Sequence, residues 1–361
     1  MGGGDPLIGS KMLLQIFAAV VLGGTLIGGG RGGCVGTIFG ALTLTILVNI
    51  FLVLGVRTYY TPVVEGVILL LAVLGFSLGA DSPVFGHLRY WRHTLQAMRQ
   101  GTLPGRLSAF GAAVRLDRLA GGKQAADVIP VSWFTRNRAT LRFSVPPYLI
   151  YILVLIATIV LAGSDFSTIG YLNAMLIFTA FLAILGLGQG TVIISGGLGT
   201  IPFTAIVATT LTNGLDAPAV WVIPLSLAAG IAIGFLNGSV IVLFGLSPVI
   251  VTLAMNGVLE GVSLLFSGGA PIGKAPPVLD WFVSGRLGGI APVGWFLIAF
   301  VIAATLLLNY TAIGRRIFAI GNSALVARLS GVRTGLPTLF AYVLSGFCSA
   351  IVGILLAGFS Y

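Results

Sequence analysis

The residues with the type and spacing for chemistry are few, and the first candidates fail on their context. Gly268 to Ala275 read GGAPIGKA and satisfy G-x-x-x-x-G-K. A phosphate-cradling loop of that kind needs Ser or Thr after the lysine to hold magnesium, then a helix whose N-terminus faces the phosphates. Here Ala275 follows Lys274, and Pro276 and Pro277 come next. GLGQG, Gly186 to Gly190, resembles a dinucleotide fingerprint still less. It lies inside an apolar run, where glycine serves helix packing. His87 and His93 sit in a basic segment as solvated side chains, and Cys34 and Cys348 have neither metal nor redox spacing. No paired carboxylates and no Ser/His/Asp constellation stand out. The sequence thus offers no catalytic, cofactor or metal residues and points away from an enzyme.

What remains is a short set of polar side chains inside apolar runs: Gln189, Asn237, Asn256 and Glu260, with Glu65 near an end. Polar groups at membrane depth are functional candidates by default. Asn256 and Glu260 are four apart and share one helix face, so they could line a polar path for a hydroxyl-rich solute. Hydrogen bonding between helices is the competing role. A second candidate is the stretch GQGTVIISGGLGTIPFT, Gly188 to Thr204, where Gly196, Gly197, Gly199 and Pro202 interrupt the helix. Non-helical backbone at that depth is tolerated against protein or a wet cavity, so the break is either a pathway element or a tight turn.

The third candidate is GRRIFAIGNSALVARLSGV, Gly314 to Val332, with Arg315, Arg316 and Arg328, and Arg333 just beyond. It is too polar to cross a membrane. Its composition from Ser323 to Leu329 favours a short helix, which Gly331 ends before Pro337 opens the next run. Such a helix either docks into a groove on a soluble partner or lies on lipid headgroups.

The elements that must position these residues follow from composition. The chain has 361 residues, 57% of them hydrophobic and only 8% charged, with mean hydropathy +1.09. A soluble domain carries about 25% charged residues. Repeated apolar runs long enough to span a bilayer give an all-α, polytopic transmembrane helical bundle of about ten spans, some short or broken. They lie near 12–29, 34–55, 63–80, 144–163, 170–193, 201–213, 218–244, 250–267, 290–309 and 336–358. Fifty-two glycines fit close helix packing. The net charge of +10 reflects basic loops on the cytoplasmic side rather than nucleic-acid binding.

Ten basic residues lie between Arg89 and Arg142. An arginine at the centre of a spanning helix costs about 2.5–3.5 kcal/mol, so this cluster and the one at Arg315 stay outside the bilayer, on the inner side. Six runs separate the clusters, an even number, so the count agrees with both sharing one side. The same parity puts Gly28 to Gly33 inside, and Tyr59, Tyr60, Trp281 and Trp295 at the outer interface, with both chain ends outside.

GRRIFAIGNSALVARLSGV resembles the cytoplasmic coupling segment of permease subunits of ATP-binding-cassette (ABC) importers for monosaccharides, of the ribose/xylose/galactose type. LGLGQGTVIISGG (Leu185 to Gly197), GFLNGSVIVLFGLSPVIVTLAMNGVLEGVSLLFSGG (Gly234 to Gly269) and AAVVLGGTLIGGGRGGCVGTIFGAL (Ala18 to Leu42) resemble other blocks of that family. The resemblance covers most of the chain except roughly 81–143. It implies a permease that moves a monosaccharide or similar polyol across the cytoplasmic (inner) membrane of a bacterium. Its implied partners are cytoplasmic ABC ATPase subunits, a soluble sugar-binding protein, a second permease unit and the lipid bilayer. ATP hydrolysis then belongs to the ATPase. The implied coupling segment spans 310–335, with Gly314, Arg315, Arg316, Ala319, Gly321, Asn322, Ala327, Arg328, Leu329, Ser330 and Gly331 as its site residues. Gln189, Gly196, Gly197, Asn237, Asn256 and Glu260 are the pathway candidates.

Two departures stand out. Leu198, Gly199 and Thr200 follow the glycine pair where the family usually has Asp-Leu-Ser, and Ser323 and Ala324 replace its usual Asn-Pro. The block order also differs, because the GGRGG block opens this chain instead of following the coupling segment. Residues 1–80 therefore read as the C-terminal part of a permease unit, 81–143 as a basic cytoplasmic linker, and 144–361 as the N-terminal and central part. A piece of a tandem fusion accounts for this order more naturally than a circular permutant. Without a driving ATPase, the same spans would suit an ion-coupled carrier or a channel for small polar solutes.

Overall fold

The computed structural model describes residues 8–25, 32–53, 66–67, 147–160, 169–195, 216–267 and 276–359. The expected runs at 63–80 (apart from Gly66 and Val67) and 201–213, the basic segment 81–143, and GGAPIGKA lie outside the described residues, as do Gly196 and Gly197. All described residues fall in the unit formed by Met1–Leu69 and Phe143–Tyr361.

The helices in chain order are α1 (Ile8–Leu22), α2 (Cys34–Val53), α3 (Pro147–Val160), α4 (Ile169–Ile194), α5 (Asp216–Phe244) and α6 (Pro248–Ser267). After these come α7 (Pro277–Ser284), α8 (Pro292–Tyr310), α9 (Ala312–Asn322), α10 (Ala324–Leu329) and α11 (Gly335–Phe359). Among the described residues, α4, α5, α6, α8 and α11 are long and apolar enough to cross a membrane. The chain is a multi-pass membrane protein with an all-helical fold.

α4 is the centre: every residue from Thr179 to Ile194 is buried. Glycines on two of its sides admit its neighbours. A Cβ on Gly186 would sit 2.8 Å from Thr37 of α2, and one on Gly188 would sit 2.7 Å from Cys348 of α11. The GLGQG run is therefore a packing surface. In contrast α5, α6 and α8 expose apolar side chains such as Trp221, Leu265 and Ile302 outward. Without a hydrophobic driving force between lipid-solvated helices, close backbone contact must hold the bundle. Gly230, Gly234 and Gly238 recur every fourth residue on α5. They meet Ala350, Tyr342 and Gly346, and Leu339 on α11, so the two helices run antiparallel. A Cβ on Gly234 would collide with the Tyr342 carbonyl oxygen, and one on Gly346 with that of Gly230.

α7 was not evident in the sequence, which reads there as an outer loop. It has eight residues, too few to show a periodicity, but Pro277 supplies the fixed φ suited to a first turn. It buries Leu279 and Val283 and leaves Trp281 exposed. A turn follows, with Gly288 at φ +65 and Gly289 at φ +87, both in the left-handed region that glycine adopts freely. Asn173 of α4 pins it: Nδ2 donates to the Gly289 carbonyl at 3.0 Å, and Oδ1 accepts from Ala291 N–H at 3.2 Å.

These contacts sort the helix ends into two faces. The start of α4, the end of α11, α7 and the start of α8 share one face, through the Asn173 clamp, the Phe181–Phe359 edge contact and the seating of Gly358 on Leu279. On the other face, Cys34 at the start of α2 lies beside Thr305 near the end of α8. The arginine-bearing α9 and α10 continue directly from that end of α8.

Candidate functional site

The segment between α8 and α11 is built by its caps. Thr311 closes α8 and opens α9, and its side chain accepts from Gly314 N–H at 3.2 Å. Gly314 then lies flat on the Leu308 backbone, where any Cβ would collide with the Leu308 carbonyl oxygen. α9 can therefore turn sharply across the end of α8. Its buried side carries Ile317 and Ile320, and its other side presents Arg315 and Arg316 to the surface. Arg315 Nη1 donates to the Tyr310 carbonyl at 3.4 Å, which holds the guanidinium near the end of α8.

Ser323 breaks the block into two helices rather than one. Its backbone is extended, its N–H donates to the Ala319 carbonyl at 3.2 Å, and its hydroxyl accepts from Val326 N–H at 3.3 Å. That is an N-cap in place of the family's usual asparagine, and Ser serves this position about as well. The helix expected from Ser323 runs from Ala324. At its other end Gly331 takes φ +83, Gly331 N–H bonds the Arg328 carbonyl at 3.0 Å and Val332 N–H bonds the Ala327 carbonyl at 3.0 Å. This is the double bond pattern of a Schellman stop, which favours glycine. Arg328 Nε donates to Thr334 Oγ1 at 3.2 Å, tying α10 to the start of α11.

Among the expected coupling residues, Gly314 and Ala327 are buried supports. Ala319 and Gly321 are half-buried at the join of the two helices, and Arg315, Arg316, Asn322, Arg328, Leu329, Ser330 and Gly331 are exposed. The apolar part of the surface was not singled out in the sequence. Leu325, Val326 and Leu329 are 68%, 59% and 79% exposed, with Leu336 close behind in sequence. The signal for them was present as leucines and a valine at i, i+1 and i+4 between arginines. Exposed leucines beside four arginines, with no acid between residues 310 and 336, make an apolar surface with a basic rim. Exposed apolar patches of that kind mark interaction sites.

The structure divides the pathway candidates. Gln189 and Asn237 are each 1% exposed, inside the packing of α4 and α5 with α11. Asn256 and Glu260 lie half-buried on α6, one helical turn apart.

The ribose import permease protein RbsC of Escherichia coli (strain K12) is 30% identical over 216 residues, 57% of this chain and 67% of that protein. The autoinducer 2 import system permease protein LsrC of Yersinia enterocolitica is 33% identical over 132 residues, 37% of each chain. LsrC of Yersinia pestis (strain Pestoides F) matches at the same identity and length. No solved structure matches. Residues 150–360, more than half of the chain, match the family described as branched-chain amino acid transport system / permease component. The chain belongs to that family of transport permeases.

Proposed function

We propose that this chain is the membrane permease component of an ABC importer in the inner membrane of a bacterium, and that its cargo is a monosaccharide or a similar polyol. The observation that carries this reading is the capped α9–α10 turn, whose exposed leucines and arginines are fixed by Thr311, Ser323 and Gly331. Relatives named for ribose and autoinducer 2 import support the cargo class. The turn lies on the cytoplasmic side by its arginines and enters a groove on the ATPase subunits. A soluble sugar-binding protein delivers the cargo on the opposite face, and a second permease unit completes the transporter. Residues 1–80 and 144–361 supply the C-terminal and the N-terminal and central parts of permease units, with 81–143 as the linker.

The coupling follows from mechanics. α9 turns back across α8 through Gly314, and α10 is tied to α11 through Arg328 and Thr334. A push on α10 therefore reaches α8 and α11 together. α11 is interlocked with α5 through glycine, so these spans rock as a block between two states. Hydrolysis stays on the ATPase.

The test is ATPase capture. The chain carrying Gly321→Leu with Arg328→Glu should retain less than a tenth of the ATPase that the unsubstituted chain brings through purification. Equal capture would remove the coupling role.

A further inference from the structure

Because every residue of α4 from Thr179 to Ile194 is buried, this helix needs neighbours on all sides. α11 supplies one side, where Gly188 meets Cys348. α1 and α2 supply another. Gly186 and Gly190, one helical turn apart, both face this pair. A Cβ on Gly186 would lie 2.8 Å from Thr37 Cγ2 and 3.5 Å from Val20 Cγ2. One on Gly190 would lie 3.7 Å from Thr37 Oγ1 and 3.9 Å from Val20 Cγ1. α1 and α2 are themselves interlocked by small residues. A Cβ on Gly40 would collide with the Ala19 carbonyl oxygen, and one on Gly23 would lie 2.7 Å from Thr37 Cα. Close backbone approach of this kind is what holds membrane helices together.

The apolar core is continuous across the same boundary. Ile16, Val20 and Leu44 share one buried cluster with Phe181, Ile184 and Leu355. Cys34 joins Leu187, Leu308 and Ile317 in a second. Phe39 of α2 meets Tyr148 and Tyr151 of α3 edge-on, with ring centroids 4.6 and 5.1 Å apart. Separate folding units each hold a hydrophobic core of their own. A core drawn from residues on both sides of segment 81–143 is the core of one unit.

Resting on the permease reading above, we infer that α1 and α2 close over α4 of their own chain. Residues 8–53 then take the place of the family's last spans in the same permease unit that α3–α11 build, although they precede those helices in sequence. Segment 81–143 joins two parts of one unit, and no second unit is needed to cover α4. This is a permuted order of the family's blocks, in place of the tandem fusion that block order alone suggests.

The test uses the full chain in membranes, after Cys34→Ala and Cys348→Ala, with Thr37→Cys and Gly190→Cys and a protease site inserted in segment 81–143. The contact at Gly190 suits a disulfide, whose Cβ atoms lie about 3.5–4.5 Å apart. After oxidation with copper phenanthroline, most of the chain should run at monomer mass. After cutting it should stay in one band until a reductant is added. A band at dimer mass would show α1 and α2 seated on another copy, and pieces that part without reductant would show that they do not cover α4. Either result overturns the inference. A second measurement uses the cut chain without the added cysteines. Gly186→Ala should raise release of the N-terminal piece severalfold during purification, and Thr37→Ala in the same chain should restore its retention, because the crowding methyl is gone. Unchanged release in the first, or no restoration in the second, would contradict the contact. The permease reading is tested apart from this, by ATPase capture on the unsubstituted chain, so the two failures are distinguishable.

Discussion

Thr311, Ser323 and Gly331 fix the shape of the turn that the arginines decorate. Gly331 holds φ +83, where a Cβ costs about 1–2 kcal/mol. Loss of the Ser323 cap costs about 1 kcal/mol. Gly331→Ala and Ser323→Ala should each lower ATPase capture several-fold, while the melting temperature of the purified permease moves by no more than a few degrees, because α10 packs only at the edge of the bundle. A large fall in melting temperature with full capture would assign these residues to stability instead. The arginines are predicted to act through charge. Arg315→Ala with Arg316→Ala should weaken capture at low salt and flatten its dependence on salt concentration, since exposed charges are screened within about 10 Å at 0.1 M. The arginines were legible in the sequence because charge is rare in this chain. The exposed leucines were not, because in a chain that is 57% hydrophobic a leucine carries no signal until its surroundings are known.

At the scale of helices, the bundle is held by backbone proximity. Gly234→Val would drive a side chain into the Tyr342 carbonyl and part α5 from α11. Overpacking costs about 1–3 kcal/mol, and more where backbone must move. The variant should lose most of its folded yield in detergent, whereas Gly257→Ala, which meets open space, should keep it. Similar yields for the two would show that the interlock is not what holds these helices. Asn173→Ala removes two hydrogen bonds worth about 1 kcal/mol each. Cleavage by added protease between Gly285 and Ala291 should then rise on the face opposite the arginines. The long spans were legible because an apolar run of twenty residues has one structural solution in a bilayer. Described helix ends fall within a few residues of the expected runs, except that α1 stops at Leu22, where Gly24 at φ +86 ends it. α7 was hidden because eight residues between prolines and glycines read equally well as loop. The different burial of Gln189 and Asn237, which are enclosed, and of Asn256 and Glu260, which are half-buried, was hidden for another reason. Each lies in its own apolar run, and only the antiparallel register of α5 and α11 decides which polar groups are enclosed.

For the whole molecule, the helix ends sort into two faces, with α9 and α10 on one and the Asn173-pinned turn on the other. This arrangement suits a device that receives force on one side and solute on the other. The central claim, ATP-driven import, is tested most directly by solute accumulation in right-side-out membrane vesicles from cells that express the chain with its partners. The account predicts that labelled sugar accumulates only in vesicles loaded with ATP, survives ionophores that dissipate proton and sodium gradients, and stops when ATP is withheld. Accumulation that continues without ATP and collapses with the ionophores would contradict it and identify an ion-coupled carrier.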